Sequence, residues 1–127
     1  VSESRKKILL VEDDWFTRFM MQEIRDTLNV EIDIADSVSD GLSRFRDNPD
    51  AYGLVLMDAQ MPVDNGHDAG QPFHDMPERF GQEVPIIAVS TDERLLDDGL
   101  LRSYGISGHL RKPVTPGELM ALIDRYC

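Results

Sequence analysis

Apolar residues in this chain fall into two alternating rhythms. Ile8-Leu9-Leu10-Val11, Leu54-Val55-Leu56-Met57 and Ile86-Ile87-Ala88-Val89 are unbroken runs, each followed at once by a polar residue: Glu12, Asp58 and Ser90. Short continuous apolar runs suit strands buried on both faces of a parallel sheet. Strands are expected at 7–12 (β1), 53–58 (β3), 84–90 (β4) and 108–112 (β5). Val30, Ile32 and Ile34 alternate with Glu31 and Asp33, which predicts a half-exposed edge strand (β2). Between the strands the spacing turns helical. Phe16, Met20, Ile24 and Leu28 recur every four residues and predict a helix over 15–28 (α1), with Asp14 as its N-cap. Ser37 is placed to cap a second helix (α2), with Val38, Leu42 and Phe45 inward and an end near Asn48-Pro49. Leu96 and Leu100 anchor a helix expected over 92–104 (α4), stopped by Gly105. Thr115-Pro116-Gly117-Glu118 is a capping box with proline at the first helical position, opening a last helix (α5) through about Tyr126.

Five strand–helix units without repeats or linkers imply one α/β domain over 1–127, built on a doubly wound parallel sheet. The flavodoxin-like strand order 2-1-3-4-5 puts β1 and β3 at the switch point, where ligands bind beyond the carboxyl ends of the strands. Glu12, Asp13 and Asp58 then share one crevice. Residues 61–83 break the rhythm, because Pro62, Gly66, Gly70, Pro72, Pro77 and Gly81 fall where a regular third helix (α3) should lie. Pro77 would clash inside any helix begun at Pro72. The expectation is an irregular or shortened α3, with Phe73, Met76 and Phe80 still pointing inward.

Charge narrows the function classes. The chain has 127 residues, 13 basic and 24 acidic, for a net charge of −11. That argues against direct nucleic-acid binding, which needs a basic footprint, and against anionic membrane surfaces. No apolar run approaches the roughly 18 residues of a membrane span. Arg5-Lys6-Lys7 is followed by only a short apolar run before Glu12, so no signal peptide is read there. With Cys127 as the single cysteine, a reducing, cytoplasmic setting is expected.

The residues at the strand ends suggest chemistry. An acidic side chain alone is usually solvated surface. Asp58 differs, since a carboxylate ending a central strand is costly unless paired or metal-bound. Carboxylates crowded together resist ionising, and a hard cation such as Mg²⁺ relieves that repulsion with few protein ligands. Lys112 adds a compact positive charge suited to a phosphate oxygen, and Ser90 a hydroxyl donor.

The motifs Leu10-Val11-Glu12-Asp13-Asp14, Leu56-Met57-Asp58-Ala59-Gln60-Met61-Pro62, Ala88-Val89-Ser90-Thr91 and Lys112-Pro113-Val114 resemble those of response-regulator receiver domains, essentially from end to end. The Met-Asp-x-Gln-Met-Pro wording and the segment from Gly105 to Val114 look most like receivers of hybrid histidine kinases. The resemblance implies a signalling switch rather than an enzyme, one that catalyses only its own phosphorylation and autodephosphorylation. Asp58 matches the phosphoacceptor, taking a phosphoryl group from a histidine kinase or histidine phosphotransfer protein. Asp13 and Asp58 match direct Mg²⁺ ligands, with the backbone carbonyl of Gln60 as a third and Glu12 acting through metal-bound water. Ser90 and Lys112 match the residues that hold phosphoryl oxygens, and Lys112-Pro113 the family's cis peptide. Asp14 falls outside the acidic pair and is read as a cap.

The same resemblance places His109 where an aromatic residue couples to Ser90. His109 is expected to swap rotamers as Ser90 moves; the residues leave open a passive histidine on an exposed strand. Gln60 and Asp92 match positions flanking the hydrolytic water, so they are expected to tune phosphoryl lifetime. Output is expected through the α4-β5-α5 face, to a downstream target or to the chain's own dimer. His67, Asp68, His74 and Asp75 are ligand-type residues in a polar loop, most simply a coincidence rather than a second metal site. Trp15 is read as packing at the start of α1 and as a fluorescence reporter. Asp64 departs from the apolar residue usual after Met-Pro. Two rival readings are a pseudo-receiver, acting as a phosphorylation-independent interaction module, and a phosphatase of the haloacid-dehalogenase type. The second wants an Asp two residues after the nucleophile, where Gln60 stands.

Overall fold

Parallel strands β1 (Lys7–Val11), β2 (Ile32–Ala35), β3 (Tyr52–Asp58), β4 (Ile86–Ser90) and β5 (Gly108–Arg111) hydrogen-bond in the order 2-1-3-4-5. The structure is a computed structural model describing residues 5–59, 76–82, 84–92, 94 and 96–127. Helices α1 (Trp15–Leu28), α2 (Val38–Asp47), α3 (Met76–Arg79), α4 (Asp98–Ser103) and α5 (Pro116–Tyr126) follow the strands in turn.

The unbroken apolar runs divide by alternation between two cores. Leu9, Val11, Val55, Met57, Ile86 and Ala88 face one side, against Val38, Leu42 and Phe45 of α2, Met76 and Phe80 around α3, and Leu101 of α4. Ile8, Leu10, Leu54, Leu56, Ile87 and Val89 face the other, against Met21 and Ile24 of α1 and Leu119 and Ile123 of α5. Burial on both faces is why no polar residue interrupts these strands.

Local chemistry sets the helix starts as expected. Asp14, Ser37 and Thr115 each accept a backbone N–H of the first turn, and Thr115 and Glu118 complete the reciprocal capping box. Gly105, at φ 85°, follows α4 in the left-handed region that glycine tolerates. Helix α3 is one turn, with Pro77 in its first turn, where no amide donor is needed.

Two helix faces differ from expectation. In α1 the buried residues are Met21 and Ile24, while Phe16 is 59% and Met20 39% exposed. A strict four-residue spacing drifts about 40° per step around a helix with 3.6 residues per turn, so a stripe aligned at Ile24 has left the core by Phe16. Helix α4 spans only Asp98–Ser103, not 92–104. Asp97 caps it, accepting Leu100 N–H at 2.8 Å, so Leu96 is buried ahead of the helix. Leu101 is the buried anchor, and Leu100 is 51% exposed. Strand β4 begins at Ile86 rather than 84; Pro85, just before it, has no amide to donate, and its carbonyl accepts Val55 N–H at 2.9 Å. Strands β1 and β5 stop one residue earlier than expected, at Val11 and Arg111, and β3 starts one earlier, at Tyr52.

At the amino ends of the strands the chain closes on itself. Lys6 N–H donates to Cys127 O at 3.4 Å, and Arg5 Nη1 lies 3.4 Å from Asp124 Oδ1. A Cβ on Gly53 would sit 2.5 Å from Tyr126 O, so β3 and the end of α5 approach too closely for any side chain. Gly53→Ala is therefore expected to lower stability by about 2–3 kcal/mol, measured by urea unfolding. Nearby, the buried Tyr52 hydroxyl donates to Asp33 Oδ2 at 2.6 Å. Burial, then the Asp33 bond and charge, hold that phenol above its ordinary range. The folded state thus keeps a proton the unfolded chain gives up, and this contribution is lost as pH rises above about 10. Tyr52→Phe should cost about 1 kcal/mol at neutral pH and flatten the alkaline fall in stability, as chemical denaturation between pH 8 and 11 would show.

Candidate functional site

The carboxyl ends of the strands converge on one pocket because the ladder runs past them. Glu12 N–H donates to Ala35 O at 2.9 Å, Ala59 N–H to Val89 O at 2.8 Å, and Lys112 N–H to Ser90 O at 2.9 Å. These bonds pin Glu12, Asp58, Ser90 and Lys112 at neighbouring strand ends. The Lys112-Pro113 peptide is cis.

Glu12, Asp58 and Ser90 are the buried polar residues among those described, and all three lie here. Glu12, Asp13 and Asp58 each offer a carboxylate oxygen within 4.8 Å of the others. Asp13 is exposed and supplies the open side. Lys112 Nζ lies 2.9 Å from Glu12 Oε1 and 3.4 Å from Asp58 Oδ1, with its side chain nearly buried. Glu12 Oε2 also accepts the Asp14 N–H at 3.2 Å.

Two buried carboxylates and one ammonium leave the pocket short of positive charge. Burial, reinforced by Asp58 and opposed by Lys112, pushes Glu12 up to about 7. Burial alone would lower the Lys112 ammonium, but its contacts with Glu12 and Asp58 outweigh this and hold it above the usual lysine range. The donor set is all carboxylate oxygen with one solvent-open member, which suits a hard divalent cation with some ligands left to water or phosphate. The residues fit Mg²⁺.

The remaining expected residues are placed as follows. Ser90 Oγ accepts the Asp92 N–H at 2.9 Å. Asp92 is held by Arg94 Nη2 at 2.8 Å and Nε at 3.0 Å, and this bond, with a second from the Arg94 backbone N–H, lowers its carboxyl below the usual range. His109 lies in register opposite Ala88, with Nδ1 2.6 Å from Asp98 Oδ1. Asp14 caps α1, accepting Thr17 N–H at 2.9 Å and Thr17 Oγ1–H at 2.7 Å, which lowers its carboxyl. Gln60, His67, Asp68, Phe73, His74 and Asp75 lie outside the described residues.

Sequence reasoning missed three features. The Asp98 contact joins residues with no local signal between them. The Arg94 fork has one, an Arg two residues after an Asp. The third is an exposed apolar surface on α1, readable only once the buried face of that helix is known. Trp15, 66% exposed, stacks on Phe19 with ring centroids 5.5 Å apart, beside Phe16 and Met20.

The family model of the response regulator receiver domain matches residues 8–124. Two-component response regulator ORR41 of Oryza sativa subsp. japonica is 31% identical over 123 residues, covering 94% of this chain and 93% of that protein. Of other curated relatives the chain spans much less, 17% of one and 28% of another. The receiver domain of sensor histidine kinase PA1611 from Pseudomonas aeruginosa PAO1, solved with a magnesium ion coordinated in its active-site cleft, shares the fold. It is 24% identical, with TM-score 0.71 over 96% of this chain and 97% of that one. So does the receiver domain of the Saccharomyces cerevisiae response regulator Ssk1, solved with the histidine phosphotransfer protein Ypd1. It is 20% identical, with TM-score 0.71 over 97% and 89% of the two chains.

Proposed function

Because this chain belongs to the response regulator receiver domain family of two-component signalling, we propose that it is a switch driven by Mg²⁺-dependent phosphorylation of Asp58. The observation that carries this reading is the meeting of Glu12, Asp13 and Asp58 oxygens within 4.8 Å at the mouth of a pocket closed by Lys112. An Asp58 carboxylate oxygen attacks the phosphorus of a donor phosphohistidine. The P–N bond breaks, its electron pair stays on the imidazole, and Asp58 becomes an acyl phosphate.

Asp13 and Asp58 would hold Mg²⁺ directly, with the Gln60 backbone carbonyl as a third protein ligand and Glu12 acting through water. When bound, the ion neutralises charge on the phosphoryl oxygens. Lys112 moves its ammonium from the carboxylates to one phosphoryl oxygen, and Ser90 donates its hydroxyl to another. Catalysis is then positioning and charge neutralisation. Asp92 and Gln60, by their match to receiver positions that tune dephosphorylation, influence the phosphoryl lifetime. Ser90 and His109 relay the state of the site to the α4-β5-α5 face, where a downstream target or a second copy binds. Among the described residues no helix is long and apolar enough to cross a membrane, and we place the domain in the cytoplasm.

The donor is a histidine kinase or histidine phosphotransfer protein, the partner class seen with Ssk1. The exposed Trp15, Phe16, Phe19 and Met20 begin one residue after Asp14, whose N–H touches Glu12. A protein that brings its phosphohistidine to Asp58 covers this surface too. Phe16→Ser should slow transfer from the phosphorylated donor about tenfold, as loss of one aromatic anchor does. Phosphorylation by acetyl phosphate, which needs no docking, should be unchanged.

Intact mass after incubation with acetyl phosphate, with and without Mg²⁺, tests the central reading. A Mg²⁺-dependent gain of one phosphoryl group supports it. No gain, with no Mg²⁺-dependent change in Trp15 fluorescence, would favour a phosphorylation-independent interaction module.

A further inference from the structure

The chain leaves β4 through two consecutive turns, each closed by the side chain that opens it. Ser90 Oγ accepts the Asp92 N–H at 2.9 Å, and Asp92 Oδ1 accepts the Arg94 N–H at 3.0 Å. Serine and aspartate favour such turns because their short side chains reach the backbone two residues on. The two turns share Asp92, whose amide holds Ser90 while its carboxylate is held by Arg94. The Arg94 guanidinium closes a fork on that carboxylate, with Nε 3.0 Å from Oδ1 and Nη2 2.8 Å from Oδ2. A planar two-point fork fixes direction as well as distance, which a single point charge does not.

The shared residue carries the fork's influence inward. Ser90 is fully buried and stands one position past Val89, the register partner of Asp58. A serine hydroxyl has one hydrogen to donate and lone pairs that accept. Accepting the Asp92 N–H anchors Oγ in one rotamer and leaves that hydrogen for another acceptor. Were the second turn to open, Asp92 would no longer be held in place, and Oγ would lose its anchor.

We propose that Arg94 is a positioning residue for phosphoryl transfer: its fork on Asp92 keeps the Asp92 amide on Ser90 Oγ, and so aims the Ser90 hydroxyl at the phosphoryl group on Asp58. The inference deepens the switch reading above and rests on it for its effect on transfer. Arg94 acts only through Asp92 and Ser90. Its side chain is 90% exposed, and an ion pair so open to water holds weakly, so the effect is severalfold rather than many orders of magnitude.

Two readouts separate the turn from the chemistry. Amide exchange at Asp92, followed by NMR, needs no phosphoryl group. It is expected to quicken about threefold in Arg94→Ala and in Arg94→Lys, which keeps the charge without the fork, while the urea midpoint stays in place. Wild-type exchange at Asp92 in either variant would overturn the proposal. The transfer step is read as the initial rate of phosphorylation by acetyl phosphate at saturating Mg²⁺. Arg94→Ala should be about threefold slower than wild type, as loss of orientation at one hydroxyl implies. Ser90→Ala removes the hydroxyl that Arg94 aims, so adding Arg94→Ala to it should slow transfer no further. A further loss of similar size in the double variant would mean that Arg94 acts by its charge, and would overturn the proposal, as would an unchanged rate in Arg94→Ala alone. If wild type takes no phosphoryl group, the receiver reading fails, while exchange at Asp92 still decides whether Arg94 holds the turn on Ser90.

Discussion

Asp58→Asn is expected to abolish phosphoryl incorporation while making the metal-free protein more stable. Asp58 is 3% exposed and shares its pocket with the fully buried Glu12. Asp58 is itself a cause of the upward push on Glu12, so the two carboxylates oppose each other in the resting fold. One lysine serves both, at 2.9 and 3.4 Å. An amide of the same shape removes the nucleophile and half of the repulsion, and leaves Lys112 to Glu12 alone. The gain should be about 1–2 kcal/mol by urea unfolding in EDTA, as expected where a reactive site holds unfavourable charge. Intact mass after acetyl phosphate and Mg²⁺ should show no added phosphoryl. A stability loss of similar size would mean that Asp58 serves the fold chiefly as a partner for Lys112.

Lys112→Met should have the opposite effect on the fold. The side chain is nearly buried, and it is the only cation among the described residues within ion-pair distance of Glu12 and Asp58. Methionine fills a similar volume but removes the ammonium that faces both carboxylates. Breaking a buried ion pair from one side costs about 3–5 kcal/mol. A loss of about 3 kcal/mol is expected in EDTA. Mg²⁺ should restore more stability to this variant than to wild type, since a ligand bound only by the folded state stabilises it by mass action. Phosphorylation should still fall about 10²-fold, the usual effect of removing one group that stabilises developing charge. The pH dependence has a definite sign. The lysine is held above its ordinary range, so its contribution is complete below about pH 10 and is lost as pH rises through the folded-state value. Equal unfolding midpoints for wild type and Lys112→Met in EDTA would sink the idea that this ion pair supports the fold.

What could be read in the sequence was what is local. The three apolar runs had no alternative to doubly buried strands, and the caps at Asp14, Ser37 and Thr115 depend only on residues one turn away. Strand order followed from the strand–helix alternation, and it brought Glu12, Asp13 and Asp58 together on paper as they meet in space. Helix faces were harder. Around α4, Leu96, Leu100 and Leu101 allowed two registers, and the Asp97 cap decided between them. In α1 the four-residue spacing hid the fact that Phe16 and Met20 turn outward. Long-range partners were invisible: nothing near His109 in the chain marks Asp98, and nothing near Glu12 shows that Lys112 reaches it directly.

The joining of Arg5 and Lys6 to Asp124 and Cys127 bears on how such a unit works inside a longer polypeptide. Both backbone connections leave from one small patch at the pole of the sheet opposite Asp58. Segments spliced on there share a single attachment point and have no lever across the strands. Their pulling or twisting turns the unit as a whole and leaves the acidic pocket undistorted. Wherever it is embedded, the pocket then has to be addressed by a surface that comes to it, and the unit behaves as cargo on a tether.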